Sequence, residues 1–297
     1  LIGEDCTIPF ISRYRKEATG GLDEVQIRDI KDFYEEYVER EKRRVYILET
    51  IKKQEMLTPA LEKKIAACET LNQLEDLYAP YKSKKKTKAM IAKENGLEPL
   101  ADLILNSGDN YLKMIEEIEK TYVKDKVKDA QMAINGASDI IIETFAHNPE
   151  SKDAIRNEYW RTAKIRSSLR KDADKIKDFD KFKDFFEFEE DISKIKDSKN
   201  THRFMAMRRG MNLKVLKIEV ILEGEYGVKV IEQNHFPTAE ALGNYELLTQ
   251  LAEKAYNNFI STSLDLEVKS DLKKVSDEAA INVFGVNLKN LLLQPYL

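Results

Sequence analysis

Three stretches of this sequence gather side chains able to meet an anion. In Tyr81-Lys-Ser-Lys-Lys-Lys-Thr-Lys88, the residues Lys82, Lys84, Lys85, Lys86 and Lys88 put five cations into seven positions. Ammonium groups at that density can face successive phosphates of a polynucleotide and release its counterions. They stand just ahead of a predicted helix, whose first N–H groups also favour anions. The plain alternative is a solvated loop. A second cluster, Arg13, Arg15 and Lys16, surrounds Tyr14, an interleaving that suits a base stacked on the ring. On a helix, though, Phe10, Ile11 and Tyr14 make one apolar face and the cations are left to pair with acids, and this structural reading is preferred. In the third stretch Arg203, Arg208 and Arg209 flank a short apolar helix at 204–207, beside His202. No Ser, Cys or carboxylate is arranged around His202 as a nucleophile or proton partner, so it reads as a capping or satisfied histidine.

Other chemistries lack their residues. Cys6 and Cys68 show no CxxC spacing, and His147, His202 and His235 lie far apart, so no structural metal or other cofactor is expected. Phosphate-loop, dinucleotide and nucleophile-elbow motifs are missing, and paired acids such as Glu35-Glu36 are too common in so charged a chain to mark a catalytic site. An enzyme is not expected. The net charge of −4 excludes a uniformly basic nucleic-acid binder, so any phosphate contact has to come from a local concentration of cations. No apolar run nears the roughly 20 residues of a membrane helix, and no basic-then-apolar leader opens the chain. Leu1 is not an initiator methionine and the chain stops just after Pro295, so both ends read as cut and the chain as a fragment.

The elements that must carry these groups are mostly helices. Gly20-Gly21 punctuates the start and Asp23 is a natural N-cap. From 23 to about 55 there is no Gly or Pro, and apolar residues recur at three-to-four spacing, which predicts one long amphipathic helix of about 45–50 Å. Its Glu39–Arg44 stretch reads as a solvated mid-section. Thr58-Pro59 opens the next helix, and short helices at 59–68, 71–78, 88–95 and 99–105, with Gly96 as a C-cap, give a helix-turn-helix texture. Further helices are expected at 125–144 and 150–169. Residues 170–200 read as a loose charged connection whose phenylalanines dock. A β-hairpin is expected from 213–222 and 228–231 around the turn at 223–227, and helices return at 238–262 and 264–282. The fold class is therefore mainly α: a multi-helix bundle with a long strut helix, a helix-turn-helix-like part and one small β-hairpin. Four regions are expected, at 1–69, 70–200, 201–236 and 237–297.

Several of these segments together resemble one family. Thr7-Ile-Pro-Phe-Ile-Ser-Arg-Tyr-Arg-Lys-Glu17 with Thr19-Gly-Gly-Leu-Asp23 looks like the opening motif of the bacterial Tex proteins. Leu74-Glu-Asp-Leu-Tyr-Ala-Pro-Tyr-Lys82, through the lysines to Ala89, looks like their central signature, and Gly96-Leu-Glu-Pro-Leu-Ala101 continues it. His202-Arg-Phe-Met-Ala-Met-Arg-Arg-Gly210 is similar to the family's HRxLAxNRGE stretch. The motifs occur in family order over nearly the whole chain. Arg208 stands where the family usually has Asn, Met211 where it has Glu, and Ser83 where it has Pro.

The resemblance implies a cytoplasmic, multi-domain protein related to a eukaryotic transcription elongation factor. This region would be helical and precede an RNase H-like domain, helix-hairpin-helix repeats and an OB-fold RNA-binding domain that carries most of the nucleic-acid affinity. The chain is then a transcription scaffold with an auxiliary phosphate contact through Lys82–Lys88. Its expected partners are RNA or DNA, transcription machinery and the absent C-terminal domains, with no membrane. The competing expectation is a pure protein-interaction module with no nucleic-acid binding of its own.

Overall fold

The structure, a computed structural model, describes residues 2, 6–82, 86–106, 112, 115–124, 126–177, 179–197, 199–236 and 243–293. The chain divides into two compact units, Leu1–Lys84 and Lys85–Leu297.

In the first unit, α1 (Ile8–Tyr14) and α2 (Lys16–Thr19) lead through Gly20, whose φ of 68° ends α2, to α3 (Glu24–Lys53). Asp23 starts α3 as its residue type requires: its carboxylate accepts the N–H groups of Val25 and Gln26, and the Gln26 side chain accepts the N–H of Asp23 in return. Thirty residues follow without interruption, about 45 Å of helix. Thr58 caps α4 (Pro59–Ala67), and α5 (Leu71–Lys82) returns along the second half of α3. Ile47 and Ile51 of α3 pack with Ile65, Cys68, Leu74 and Tyr78, each large aliphatic contributing roughly 1.5–3 kcal/mol of burial.

The middle of α3 is not a solvated stretch, contrary to the sequence expectation. Arg44 turns inward and donates to the carbonyls of Ile65, Ala66 and Cys68, closing the C-terminal end of α4. Arg40 donates to the Glu69 carbonyl, and Arg43 lies over the rings of Tyr46 and Tyr78 while bonding Glu75 at 2.5 Å. Periodicity marked these arginines as polar; it held no record of the carbonyls that α4 leaves unbonded. On the N-terminal half of α3, Ile27 and the α1 residue Ile11 are buried, beside a cavity of about 520 Å³ lined by Ile2, Leu22, Ile30 and Tyr34.

The second unit is built around an apolar helix. α6 (Lys88–Glu94) and α7 (Glu98–Asn106) are joined by a tight turn in which Gly96 takes φ 75°. Then come α8 (Ile115–Tyr122) and α9 (Ala130–Ala146). α9 buries Ala133, Ala137, Ile140, Ile141 and Phe145, and α6, α7 and α8 pack on it. At Gly136 the approach is tight, since a Cβ there would stand 2.5 Å from Leu97 Cδ1.

Asn148 caps α10 (Pro149–Thr162), which stops seven residues earlier than periodicity suggested. The remainder is β1 (Lys164–Leu169), where Ile165 and Ser167 point inward in alternation. β1 is the centre of a three-stranded antiparallel sheet, flanked by β2 (Glu187–Asp191) and β3 (Leu216–Ile221) in the order β2-β1-β3. The segment before β2 holds short 3-10 turns and docks Phe182 into the interior. α11 (Ile192–Lys196) and α12 (Thr201–Asn212) precede β3.

The expected hairpin is thus replaced by a sheet. β3 pairs with β1, fifty residues upstream, and the stretch after Gly224 forms α13 (Tyr226–His235). Gly227, Val230 and Ile231 are its buried residues, a helical spacing inside a run whose β-branched composition favours strand. Residues 237–242 lie outside the described residues. α14 (Tyr245–Ala255) then runs through a π turn at Tyr256–Ile260 into α15 (Ser261–Leu292). Two separate helices were expected here; the chain passes Ser263 and Leu264 without a break. α15 covers the outer edge of β3: the Asp265 carboxylate accepts the Val220 N–H at 2.7 Å, and the Lys269 ammonium donates to the Ile218 carbonyl at 2.5 Å. The mainly helical expectation holds, with a small β part. Among the described residues no helix is long and apolar enough to cross a membrane.

Candidate nucleic-acid interface

Lys82 ends α5 and meets Glu75 at 3.3 Å, on the carboxylate that also receives Arg43. Burial pushes the Glu75 carboxyl up, but the bonds from Arg43 and Lys82 outweigh it and hold it below the usual carboxylate range. Lys84 and Lys85 lie outside the described residues. Lys86 pairs with Glu94 at 2.6 Å. Thr87 caps α6 by accepting the Met90 N–H, and its hydroxyl donates to Glu143 of α9 at 2.8 Å. Lys88 begins α6 with no ion pair among the described residues; burial on α9 pushes the Asp139 carboxyl up, and the Lys88 charge draws it only partly back. The described lysines of this loop therefore face acids of their own units.

The other two clusters behave similarly. Arg13 pairs with Glu24 at 3.6 Å and Arg15 with Glu17 at 3.2 Å, while Lys16 is exposed and unpaired among the described residues. Of the expected apolar face only Ile11 is buried; Tyr14 is 70% exposed and leans on Phe10. A turn that ends α1 at Arg15 leaves too little helix to bury all three. On α12, Arg203 pairs with Glu190 at 3.5 Å and Arg208 with Asp277 at 3.9 Å; Arg209 and His202 are exposed. In the first unit Arg13 and Lys82 are not brought together. Arg13 sits by the start of α3, whereas the Tyr81 carbonyl is bonded by Gln54 just past its end, about 45 Å away along the helix.

The α12 stretch has a packing role that its cations concealed. Thr201, Phe204, Met207 and Gly210 line its buried face. A Cβ on Gly210 would stand 2.6 Å from Leu216 Cδ1 and 3.0 Å from Phe182 Cδ1. Past it, Lys214 takes φ 63°, with its N–H on the Met211 carbonyl and that of Val215 on the Gly210 carbonyl. This is a Schellman ending with lysine where glycine is favoured. The Arg170 N–H donates to the Val215 carbonyl at 2.9 Å, tying the end of β1 to this turn. Behind them Ala173, Phe182, Val215 and Leu216 form a small buried cluster against which Phe179 and Phe186 pack, stacked on each other at 6.0 Å. Around it Arg170, Lys171, Lys177 and Lys214 are exposed. Sequence reading passed over these four because no two of them but the first pair are adjacent; only the fold collects them.

Comparison with known proteins matches residues 112–284 to the Tex central region-like model and residues 1–52 to the Tex-like protein N-terminal domain. The chain is similar to the transcriptional accessory protein Tex of Neisseria gonorrhoeae, 34% identical over 99% of this chain and 38% of that protein. Protein tex of Bordetella pertussis is 35% identical over the same shares. Human S1 RNA-binding domain-containing protein 1 is 31% identical over 99% of this chain and 30% of its own length. The chain spans about two-fifths of the bacterial relatives it matches. With both models falling in order along it and more than half of its residues inside the central-region match, the chain belongs to the Tex family.

Proposed function

We propose that this chain is the scaffold portion of a transcription accessory protein, with nucleic-acid contact as an auxiliary property of its surface. The observation that carries this reading is the near full-length similarity to a relative named as a transcriptional accessory protein. The geometry supports the emphasis on scaffold: Arg40, Arg43 and Arg44 of α3 are engaged with carbonyls and carboxylates of their own unit, and most described cations of the three basic clusters are paired with acids. The turn between α6 and α7 at Gly96 supports a helix-turn-helix-like part. The reading assigns no catalytic step. It places the protein in the cytoplasm beside transcription machinery, RNA or DNA and the further domains its longer relatives have room for.

Fluorescence anisotropy of a labelled single strand and a duplex, as RNA and as DNA, tests it from 50 mM to 200 mM salt. Sequence-independent binding that weakens steeply with salt is expected. A variant with Lys82, Lys84, Lys85, Lys86 and Lys88 changed to Ala tests the basic loop. A specific observation favours the competing interaction module: Ile281, Phe284, Leu288 and Leu291 of α15 are all exposed, an apolar face suited to protein. No binding at 50 mM salt would leave that module as the function.

A further inference from the structure

The geometry points to a phosphate-contacting surface for polynucleotide at the turn between α12 and β3, formed by Arg170, Lys171, Lys177, Arg209 and Lys214. It rests on the nucleic-acid part of the proposed function and moves the contact away from the lysine loop.

Four observations carry it. All five side chains are exposed, and none forms an ion pair among the described residues. Their neighbours do: Lys175 is held by Asp172, Lys183 by Asp180 and Lys217 by Glu219. Against the five stand, among the described residues of the same segment, two acids outside any ion pair, Asp174 and Asp184, in a chain of net charge −4. Second, the five are gathered by structure and not by sequence. The Arg170–Val215 backbone bond, the Gly210 contact with Leu216 and Phe182, and the docking of Ile176 beside Val215 bring 170–177, 209 and 214 around one buried cluster.

Third, the turn keeps a lysine where glycine would relieve the backbone. Lys214 at φ 63° sits in a region that L side chains avoid. Strain of this kind concentrates where a side chain is needed. Fourth, the platform is packed: Phe179 and Phe186 stack at an interplanar angle of 7° and Phe182 is buried, so the cations stand over a buried aromatic base. Unpaired cations on this base meet a phosphate backbone without losing partners of their own, unlike Lys82 and Lys86, which must first release Glu75 and Glu94.

The test uses the whole 297-residue chain and labelled 20-nucleotide RNA and DNA, single and double stranded, in anisotropy titrations across salt. A variant carrying Arg170→Gln, Lys171→Gln, Lys177→Gln and Arg209→Gln should bind roughly tenfold or more weakly at 50 mM salt, with the log–log salt slope reduced by up to about 3 on single strands. The lysine-loop variant should bind nearly as the parent does. Lys214→Gly is the companion that cannot lose binding through unfolding: it should raise the thermal midpoint while weakening affinity and reducing the slope by about 0.7. The relative loss on RNA and on DNA identifies the polynucleotide met. If the quadruple variant keeps the parent's affinity and slope while the loop variant loses them, this surface is overturned and the proposed function stands on the loop. A parent that binds nothing at 50 mM salt overturns both.

Discussion

The guanidinium of Arg156 on α10 grips the carboxylate of Glu267 on α15 through two nitrogens, Nε at 2.6 Å and Nη2 at 3.2 Å, across 111 residues of sequence. Both side chains are nearly enclosed, at 11% and 13% exposure. A planar fork meeting a carboxylate in this way fixes direction as well as distance. It pins α15 beside α10 while Asp265 and Lys269, two residues to either side, hold the β3 edge.

Removing Arg156 takes the fork off an enclosed carboxylate, whereas removing Glu267 leaves Arg156 its second acceptor, Asp153. Arg156→Ala should destabilise the second unit by about 3 kcal/mol and Glu267→Ala by less, and the double variant should lose less than the sum. Urea unfolding of the four proteins closes the cycle; strict additivity would mean that the pair contributes nothing as a pair.

Arg44 makes a different demand, because its acceptors include three main-chain carbonyls beside the Glu41 carboxylate. Arg44→Lys supplies one ammonium where a fork reaches Ile65, Ala66 and Cys68, so it should rescue little of the roughly 2–4 kcal/mol lost in Arg44→Ala. Hydrogen exchange over 59–68 should speed up in both variants. Protection unchanged from the parent in Arg44→Lys would show that charge alone holds the end of α4.

Two glycines should respond with opposite signs. A Cβ at Gly227 would stand 2.2 Å from Tyr256 Cε2, inside a ring anchored by the Tyr159 hydroxyl, and Gly227→Ala should cost about 1–3 kcal/mol. Gly285 in α15 has nothing within 4 Å of such a Cβ, and Gly285→Ala should strengthen its helix by up to about 1 kcal/mol. Thermal melts and helical ellipticity read both.

His235 predicts a pH dependence. Burial against Phe145 lowers its pKa, against a weaker upward pull from Glu150. The unfolded chain then takes up the proton more readily than the folded one. The neutral ring's contribution is complete above the unfolded value of about 6.5 and is lost as the pH falls below it. The urea midpoint should drop between pH 7 and 5, and His235→Phe should flatten that part of the curve; an unchanged slope in the variant would remove His235 as the cause.

Helix starts were legible because their chemistry is local. Asp23 and Thr58 each satisfy N–H groups two or three residues away. Strand partners were not, because β1 finds β2 and β3 at distances of twenty to fifty residues, and its inward positions include Ser167, whose hydroxyl donates to the Phe185 carbonyl. The Val228–Ile231 run reads as strand until Tyr256 and its neighbours offer a helix somewhere to pack. For the candidate site, the cations of the three clusters were visible in sequence, but Glu75, Glu94, Glu24, Glu190 and Asp277, which engage most of the described ones, were not. The scattered Arg170, Lys171, Lys177 and Lys214 carried no density signal at all.

The π turn at Tyr256–Ile260 sets an angular phase for everything beyond it. A wide turn of this kind holds one residue more than an α turn, and each residue advances a helix by about 100°. Because the wide turn takes up that residue within one revolution, the helix beyond it keeps the phase of an uninterrupted α-helix one residue shorter. Deleting a single residue there should close the turn to α geometry and leave Asp265 and Lys269 on the edge of β3 and Glu267 on Arg156. A deletion at 261–264, with no wide turn to take it up, would swing all three away at once. The helix thus works as an indexed shaft with its take-up point at one end. Among relatives that keep these contacts, a one-residue deletion should be tolerated at 256–260 and absent from 261–269.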